Sequence, residues 1–482
     1  MGVTRDFRDR RVLVMGLGRF GGQIGAVRFF AGRGAVVTVT DRKSAAVLAA
    51  SVAAVAPLGV KFRLGEHRAE DFRAAEIVCV SPAIRMDDPL VAAARAAGAV
   101  IVTEIGLFFA HFPGTIIGVT GSNGKSTTTR LVHDMLAPRG RVHLGGNIGG
   151  SLLPAIDAFT AADIAVLELS SFQLKRLEEG GRSPATAVLT NITPNHLDWH
   201  TDLEDYRRAK AVIAQFQGPG DHLVYDAADP GAAAVAAAAP GRKVAVNGAA
   251  VPCVNFDGDR AVFDDGRARQ VLFTAGDLQL PGGFNRTNAM LAAAAAHLHG
   301  AAPAQIATAL RAFHGLPHRL ETVGTVAGVR FVNDSIATTP ESVVAAAGAL
   351  GPDAVFLLGG SDKGVSLAPA VAAVAAHAAG AVCLGAMGPA LAAALRARAP
   401  GFPVVEADGF EAAVRQAFRM AAGRGRGTVA LSPACASFDM FVNFEERGET
   451  FRAIVKELAT EATIGSGVTG HMSQVTGLDQ DP

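Results

Sequence analysis

Short apolar runs alternate with amphipathic or alanine-rich stretches along most of the 482 residues. Val12–Met15, Ala35–Thr40 and Ile77–Val80 have the length of buried strands, and Gly22–Ala31 reads as a helix between the first two. Such alternation predicts β-α-β units and a parallel sheet. A second block opens with the run Thr115–Val119, passes through a helical pattern from Thr128 to Leu136, and continues with strands at Ile164–Leu169 and Ala185–Thr190. Val244 to Leu280 is richer in short strands and turns and predicts a small β insertion. The alanine-rich helix Ala289–His297 follows. A third block has strands at Val329–Val332, Val355–Leu358, Ala381–Leu384 and Thr428–Leu431. From Ile464 onward the chain is rich in Gly, Ser, Thr and Gln, a composition that predicts a disordered tail.

Composition narrows the class. Half of the residues are hydrophobic, enough for each block to bury a core. Lys+Arg and Asp+Glu are equal at 44 each, so overall charge gives no footprint of nucleic acid or of an anionic membrane. Cys79, Cys253, Cys383 and Cys435 form no CxxC pair and predict buried, reduced thiols in a cytoplasmic protein. The segment Gly2–Arg11 is too charged for a signal-peptide core, and no uncharged 18-residue apolar stretch predicts a membrane span.

The chemistry is clearest where Thr115–Val119 meets Gly121-Ser-Asn-Gly-Lys-Ser-Thr127. A strand, a glycine-rich turn and a helix N-terminus together bind phosphate, because backbone N–H groups and the helix dipole converge on the anion. Lys125 predicts a contact with the β/γ-phosphates and Ser126 a hydroxyl for Mg²⁺. Position 119, where the strict P-loop pattern has its first glycine, is Val. A second, weaker fingerprint is Gly16-Leu-Gly18-Arg19-Phe20-Gly21, with Asp41 closing the next strand. It predicts a Rossmann-like site for a diphosphate-containing ligand and leaves NAD and a UDP-sugar both open.

Strand-end residues beside a phosphate loop are candidate metal ligands, and Glu168 and His196 occupy such places. Hard oxygen ligands favour Mg²⁺. His196 and His200 have helical zinc spacing, but Pro194 places them in a loop and the glutamate of HExxH is absent. Lys210 on its own reads as a surface lysine of an amphipathic helix. Lys363 lies in the glycine-rich loop Leu358–Gly364 after a strand, a place where a cation meets an anionic substrate group.

Together these segments resemble the Mur ligase family, ATP-dependent amide-bond-forming enzymes of peptidoglycan precursor synthesis. Thr120–Thr127, Glu168-Leu-Ser-Ser171, Asn285-Arg-Thr-Asn288 and His318-Arg319 match motifs shared across that family. Ser170–Leu174, Tyr206–Lys210 and Leu431–Gly448 are similar to its D-glutamate-adding branch. The fold class implied is α/β in three domains: an N-terminal Rossmann-like domain that binds the UDP substrate (1–110), a central P-loop ATPase domain (111–317) and a C-terminal Rossmann-like domain that binds the amino acid (318–463). A tail follows (464–482). The resemblance implies ATP and Mg²⁺, with UDP-N-acetylmuramoyl-L-alanine and glutamate as substrates and a monomer in the cytoplasm. It gives Gly121, Ser122, Asn123, Gly124, Lys125, Ser126, Thr127, Asn288, Arg319 and Asp334 to ATP. Gly18, Arg19, Phe20, Asp41 and Asn147 fall to the UDP substrate, and Thr338, Lys363, Ser437 and Phe444 to glutamate. Ser126, Glu168, His196 and Lys210 fall to the metals, with Lys210 carbamylated and therefore first a neutral amine. Closure of the third domain on the second, with a hinge near Gly315–His318, is implied as well.

The chain departs from the family pattern at three places. Ile336 stands where a lysine is usual, Ala83 replaces a glycine, and Arg19-Phe20 is an unusual uridine loop. These changes bear on glutamate handling, including stereochemistry, so the same reaction with L-glutamate is the alternative. A nicotinamide-dependent oxidoreductase would leave the phosphate loop unexplained. A folylpolyglutamate synthetase would not need the N-terminal block. A non-catalytic nucleotide-binding protein would not need Lys125, Glu168, His196, Lys210 and Lys363 together.

Overall fold

A computed structural model describes residues 6–465 apart from 19–21, 83, 86, 194–198, 281, 363–364 and 426. It has three α/β domains, each built on its own sheet. The chain divides into two compact units, one up to Phe313 and one from His314 onward.

The first sheet holds β1 (Arg11–Met15), β2 (Val36–Asp41), β3 (Lys61–Leu64), β4 (Ile77–Val80) and β5 (Val100–Val102), in the order β3-β2-β1-β4-β5. All neighbours are parallel. Strand order reverses direction at β1, which opens a crevice at the carboxyl ends of β1 and β4. Val12, Val14 and Cys79 pack on one face, with Phe7, Phe29 and Phe30 in mutual edge contacts nearby.

The second sheet, in the same unit, contains β6 (Thr115–Thr120), β7 (Val142–Gly146), β8 (Ile164–Glu168), β9 (Thr186–Leu189), β10 (His222–Asp226), β11 (Arg242–Val246), β12 (Cys253–Asp257), β13 (Arg260–Asp264) and β14 (Arg269–Thr274). Their order is β14-β13-β12-β11-β10-β9-β6-β8-β7. All four residues of β9 are buried, as in a parallel strand covered on both faces. The stretch Val244 to Leu280 is not a separate insertion. Its strands continue this sheet, with β12 parallel to β11 and β13 and β14 turning antiparallel at the edge.

The second unit contains β15 (Glu321–Val326), β16 (Val329–Asn333), β17 (Ala354–Gly359), β18 (Gly380–Leu384), β19 (Val404–Glu406) and β20 (Gly427–Ala434), ordered β15-β16-β20-β17-β18-β19. Only β15 is antiparallel. Alanine-rich helices cover the sheet. Their small side chains let Val343, Ala347, Val371 and Val374 pack on Phe356 and Leu358. The final helix, Phe444–Gly465, runs through position 464, where the tail boundary was placed, and the remainder lies outside the described residues. All four cysteines are buried and free. Among the described residues no helix is long and apolar enough to cross a membrane.

Candidate functional site

The phosphate loop connects β6 to the helix Lys125–Leu136, three residues longer at its start than the apolar pattern suggested. Two of its glycines are sterically required. A Cβ on Gly121 (φ +155°) would lie 1.8 Å from Thr190 Oγ1, and one on Gly124 (φ +80°) 2.4 Å from Asn288 Oδ1. The loop therefore sits tight against the end of β9 and against the helix Gly283–Leu298. Ser122 N–H donates to Asn191 O (2.8 Å), Asn123 N–H to Asn191 Oδ1 (2.9 Å), and Ser122 Oγ lies 2.9 Å from Tyr206 Oη. The Lys125 ammonium folds back to donate to Gly121 O and Ser122 O, both at 3.0 Å. Ser126 is buried in the first helical turn, Thr127 is half-buried, and Asn288 is buried on the neighbouring helix.

Glu168 ends β8, the strand beside β6. Its Oε1 accepts from Asn147 Nδ2 at 2.9 Å, and Asn147 N–H donates to Glu168 O at 2.9 Å. Its Oε2 is buried and has no hydrogen-bond partner among the described residues. A bare carboxylate oxygen in a protein interior costs about 1–3 kcal/mol or more, which marks a place for a cation. Among the described residues no three His, Cys, Asp or Glu side chains converge on one point. One carboxylate completed by phosphate oxygens and water suits Mg²⁺, which keeps much of its hydration, better than a caged zinc.

Lys210 is not a surface lysine. It is 1% exposed, and its Nζ donates to Gly121 O at 2.8 Å. It also lies 3.4 Å from Thr120 Oγ1 and 4.8 Å from the Tyr206 ring centroid. Burial pulls its ammonium well below the ordinary lysine range, and Lys125 adds like-charge repulsion, while Glu168 opposes both. His196 lies outside the described residues. His200 is buried and locked between Asp205 Oδ2 (3.2 Å) and Ser171 Oγ (3.0 Å), which occupies both ring nitrogens.

In the same unit, a cavity of about 450 Å³ is lined by Gly16, Leu17 and Gly18 after β1, Ser81 and Pro82 after β4, and Asn147 after β7. Ser170, Phe172 and Gln173 at the start of the helix Ser171–Glu178 close it. Asp41 is buried at the end of β2, and Gly18 N–H points to its Oδ2 at 3.4 Å. Arg19 and Phe20 lie outside the described residues, as does Ala83. The crevice expected of the N-terminal fingerprint thus reaches Asn147, whose carboxamide holds Glu168.

The second unit gathers its own strand-end cluster. Asp334, directly after β16, accepts from Ser432 Oγ (2.8 Å) and Leu320 N–H (3.1 Å). Burial pushes its carboxyl up to about 6, with those two donors and exposed Arg319 opposing. Thr338 and Ile336 are half-buried in the following turn, where Ile336 N–H donates to His318 O. Ser437 is buried after β20. The Phe444 carbonyl accepts from Ser335 Oγ at 2.8 Å. Arg447, 1% exposed, spans this cluster through Ser335 Oγ, Ser335 O and Cys435 O. Lys363 follows β17 and lies outside the described residues.

Sequence reasoning gave no role to Tyr206, Arg447 or the Asn147–Glu168 bond. A signal existed for Tyr206, which lies one helical turn before Lys210 on the same face.

Comparison with known proteins covers most of the chain. Family models described as Mur ligase MurD-like N-terminal domain, Mur ligase middle domain and Mur ligase glutamate ligase domain match residues 10–103, 119–296 and 318–435. The chain is 42% identical to a UDP-N-acetylmuramoylalanine--D-glutamate ligase of a Roseiflexus species over 460 residues, covering 93% of this chain and 98% of that one. Its counterpart in Symbiobacterium thermophilum is 38% identical, covering 94% and 99%. Among solved structures, the UDP-N-acetylmuramate-alanine ligase of Thermotoga maritima has a TM-score of 0.57 at 18% identity. It covers 93% of this chain and 99% of its own, a likeness of fold. With consecutive models of one family along its length and whole-chain relatives at this identity, the chain belongs to the Mur ligase family.

Proposed function

We infer that this protein joins D-glutamate to UDP-N-acetylmuramoyl-L-alanine at the expense of ATP, in peptidoglycan precursor synthesis. The observation that carries the chemistry is the group at the phosphate loop formed by half-buried Lys125 with buried Glu168 and Lys210. Whole-chain identity to D-glutamate ligases supports the choice of substrates. The acceptor carboxylate takes the γ-phosphoryl group of ATP and becomes an acyl phosphate. The amine of D-glutamate then attacks the carbonyl carbon, loses a proton, and the tetrahedral adduct expels inorganic phosphate. Such transfers need positioning and charge neutralisation more than covalent help.

The backbone of Gly121–Gly124 and the Lys125 ammonium would hold the ATP phosphates, with Asn288 beside them. Glu168 Oε2, Ser126 and carbamylated Lys210 would hold Mg²⁺, with His196 as a further ligand. When bound, the ion neutralises charge on the phosphates. The neutral amine that burial favours at Lys210 is the form that adds to CO₂, giving a carbamate and a proton. Gly18, Arg19, Phe20, Asp41 and Asn147 would take the UDP substrate. In the C-terminal domain Arg319 and Asp334 would serve the nucleotide, and Thr338, Lys363, Ser437 and Phe444 the glutamate. ATP and UDP-linked precursors place the reaction in the cytoplasm.

Ile336, at a position where the resemblance has a lysine, favours the L-glutamate variant as the second reading. Phosphate release with ATP, Mg²⁺ and UDP-N-acetylmuramoyl-L-alanine separates them. We expect turnover with D-glutamate alone. Turnover with L-glutamate alone would replace the first reading with the second, and none with either would sink both.

A further inference from the structure

Glu104 opens the helix Glu104–His111 just after β5 and forms part of the wall of the 450 Å³ cavity. Neither the glycine fingerprint nor the family motifs quoted above contain it. One of its oxygens, Oε1, accepts from Ser151 Oγ at 2.5 Å, and Ser151 lines the same cavity. Among the described residues no cation pairs with it. Burial pushes the carboxyl above the ordinary range, with the Ser151 bond opposing. An ionised carboxyl accepts from ligand hydroxyl and amide N–H groups, and a protonated one also donates.

Its place in the cavity limits what it can touch. Gly16 and Gly18, where the fingerprint predicts the diphosphate, line it. Asn147 and Ser170 line it too, and Asn147 holds Glu168 of the phosphate-loop cluster. Between them falls the part of the acceptor that links diphosphate to reacting carboxylate, the amino-sugar ring with its hydroxyl and amide groups. We propose that Glu104 is a specificity-determining residue that hydrogen-bonds the amino-sugar ring of the acceptor. This rests on the reaction inferred above.

Calorimetry on the full chain with two ligands tests it. For Glu104→Ala, affinity for UDP-N-acetylmuramoyl-L-alanine should fall roughly 10- to 100-fold, the loss of a buried hydrogen bond, while UDP binds within about twofold of wild type. Glu104→Gln keeps a donor and an acceptor and should restore acceptor binding to within about threefold. In turnover, KM for the acceptor should rise and KM for ATP should not. Unchanged acceptor affinity in Glu104→Ala, or an equal loss for UDP and acceptor, would overturn the assignment. Failure of Glu104→Gln to restore binding in a folded protein would do so too. A wild-type protein that binds neither ligand would instead refute the inferred reaction.

Discussion

The phosphate-loop cluster and the strand-end cluster of the C-terminal domain both bury ions at the carboxyl ends of parallel strands, yet they treat them differently. In the C-terminal domain the hydrogen bonds of each ion are made with neutral groups. Asp334 takes two hydrogen bonds, and Arg447 gives three. At the phosphate loop the accounting stays incomplete. Among the described residues Glu168 keeps one oxygen bare, and Lys210 sits near Lys125, a like charge that disfavours its ammonium. A satisfied network holds loops in place. An unsatisfied one suits a ligand whose charges would complete it, and phosphates with a divalent cation would do so under the function inferred above. The contrast separates a closed hydrogen-bond network from one left open.

The largest expected effect tests the incomplete side. Lys210→Ala should lower kcat roughly 10²- to 10³-fold, the scale of losing one group that stabilises developing charge. The fold should survive, because removing a buried amine whose charged form is penalised relieves as much as it disturbs. If Lys210 acts as a carbamate, a short carboxylic acid added to Lys210→Ala should recover part of the rate. A variant that loses its melting transition instead would make Lys210 scaffold and erase the contrast.

Asp334 tests the complete side through pH. Its carboxyl titrates near 6 in the fold, against 3.8 ordinarily. An acid whose folded value is raised favours folding only while protonated. Stability is therefore fully present below about 4 and is lost as pH rises through 6, in total about 3 kcal/mol. Asp334→Asn carries no charge and escapes that loss. Urea melts of both proteins from pH 4 to 7.5 should show the variant gaining on wild type by about that amount. A pH-independent difference would mean that the hydrogen bonds from Ser432 and Leu320 already cancel the cost of burial.

How much of this was legible in the sequence follows from which contacts are local. Gly121–Ser126 and Glu168 could be read because each is tied to the end of an apolar run, and strand ends on one edge of a parallel sheet converge. Lys210 could not be placed by amphipathic pattern alone. Tyr206, Ala209, Lys210 and Ile213 share the buried face of the helix Leu203–Gln215, and a lysine in that company looks like an interruption until the phosphate loop is seen beneath it. The bond between Asn147 and Glu168 joins adjacent strands, β7 and β8, whose pairing no local pattern states. The same holds for β11 to β14. Their strand character was visible, while their attachment to the central sheet depends on β10 and β11 aligning in register.

The smallest effect lies at the seam between scaffold and chemistry. Ser170, two residues beyond Glu168, caps the helix Ser171–Glu178. Its Oγ accepts from Gln173 N–H at 3.2 Å, and Gln173 Oε1 accepts from Ser170 N–H at 2.9 Å. This reciprocal box fixes the first helical turn, which carries Phe172 and Gln173 into the cavity wall and Ser171 to His200. Ser170→Ala leaves one N–H without its acceptor and should cost about 1 kcal/mol, read as a fall in Tm of about 2–4 °C. Ser170→Gly should cost only a few tenths of that, since water can reach the freed N–H. Because Glu168 is held by Asn147 and by the β8 backbone rather than by this helix, kcat should stay within about threefold of wild type in both. A large fall in kcat at unchanged Tm would show that the cap sets the position of Glu168 itself, and the seam would then belong to the chemistry.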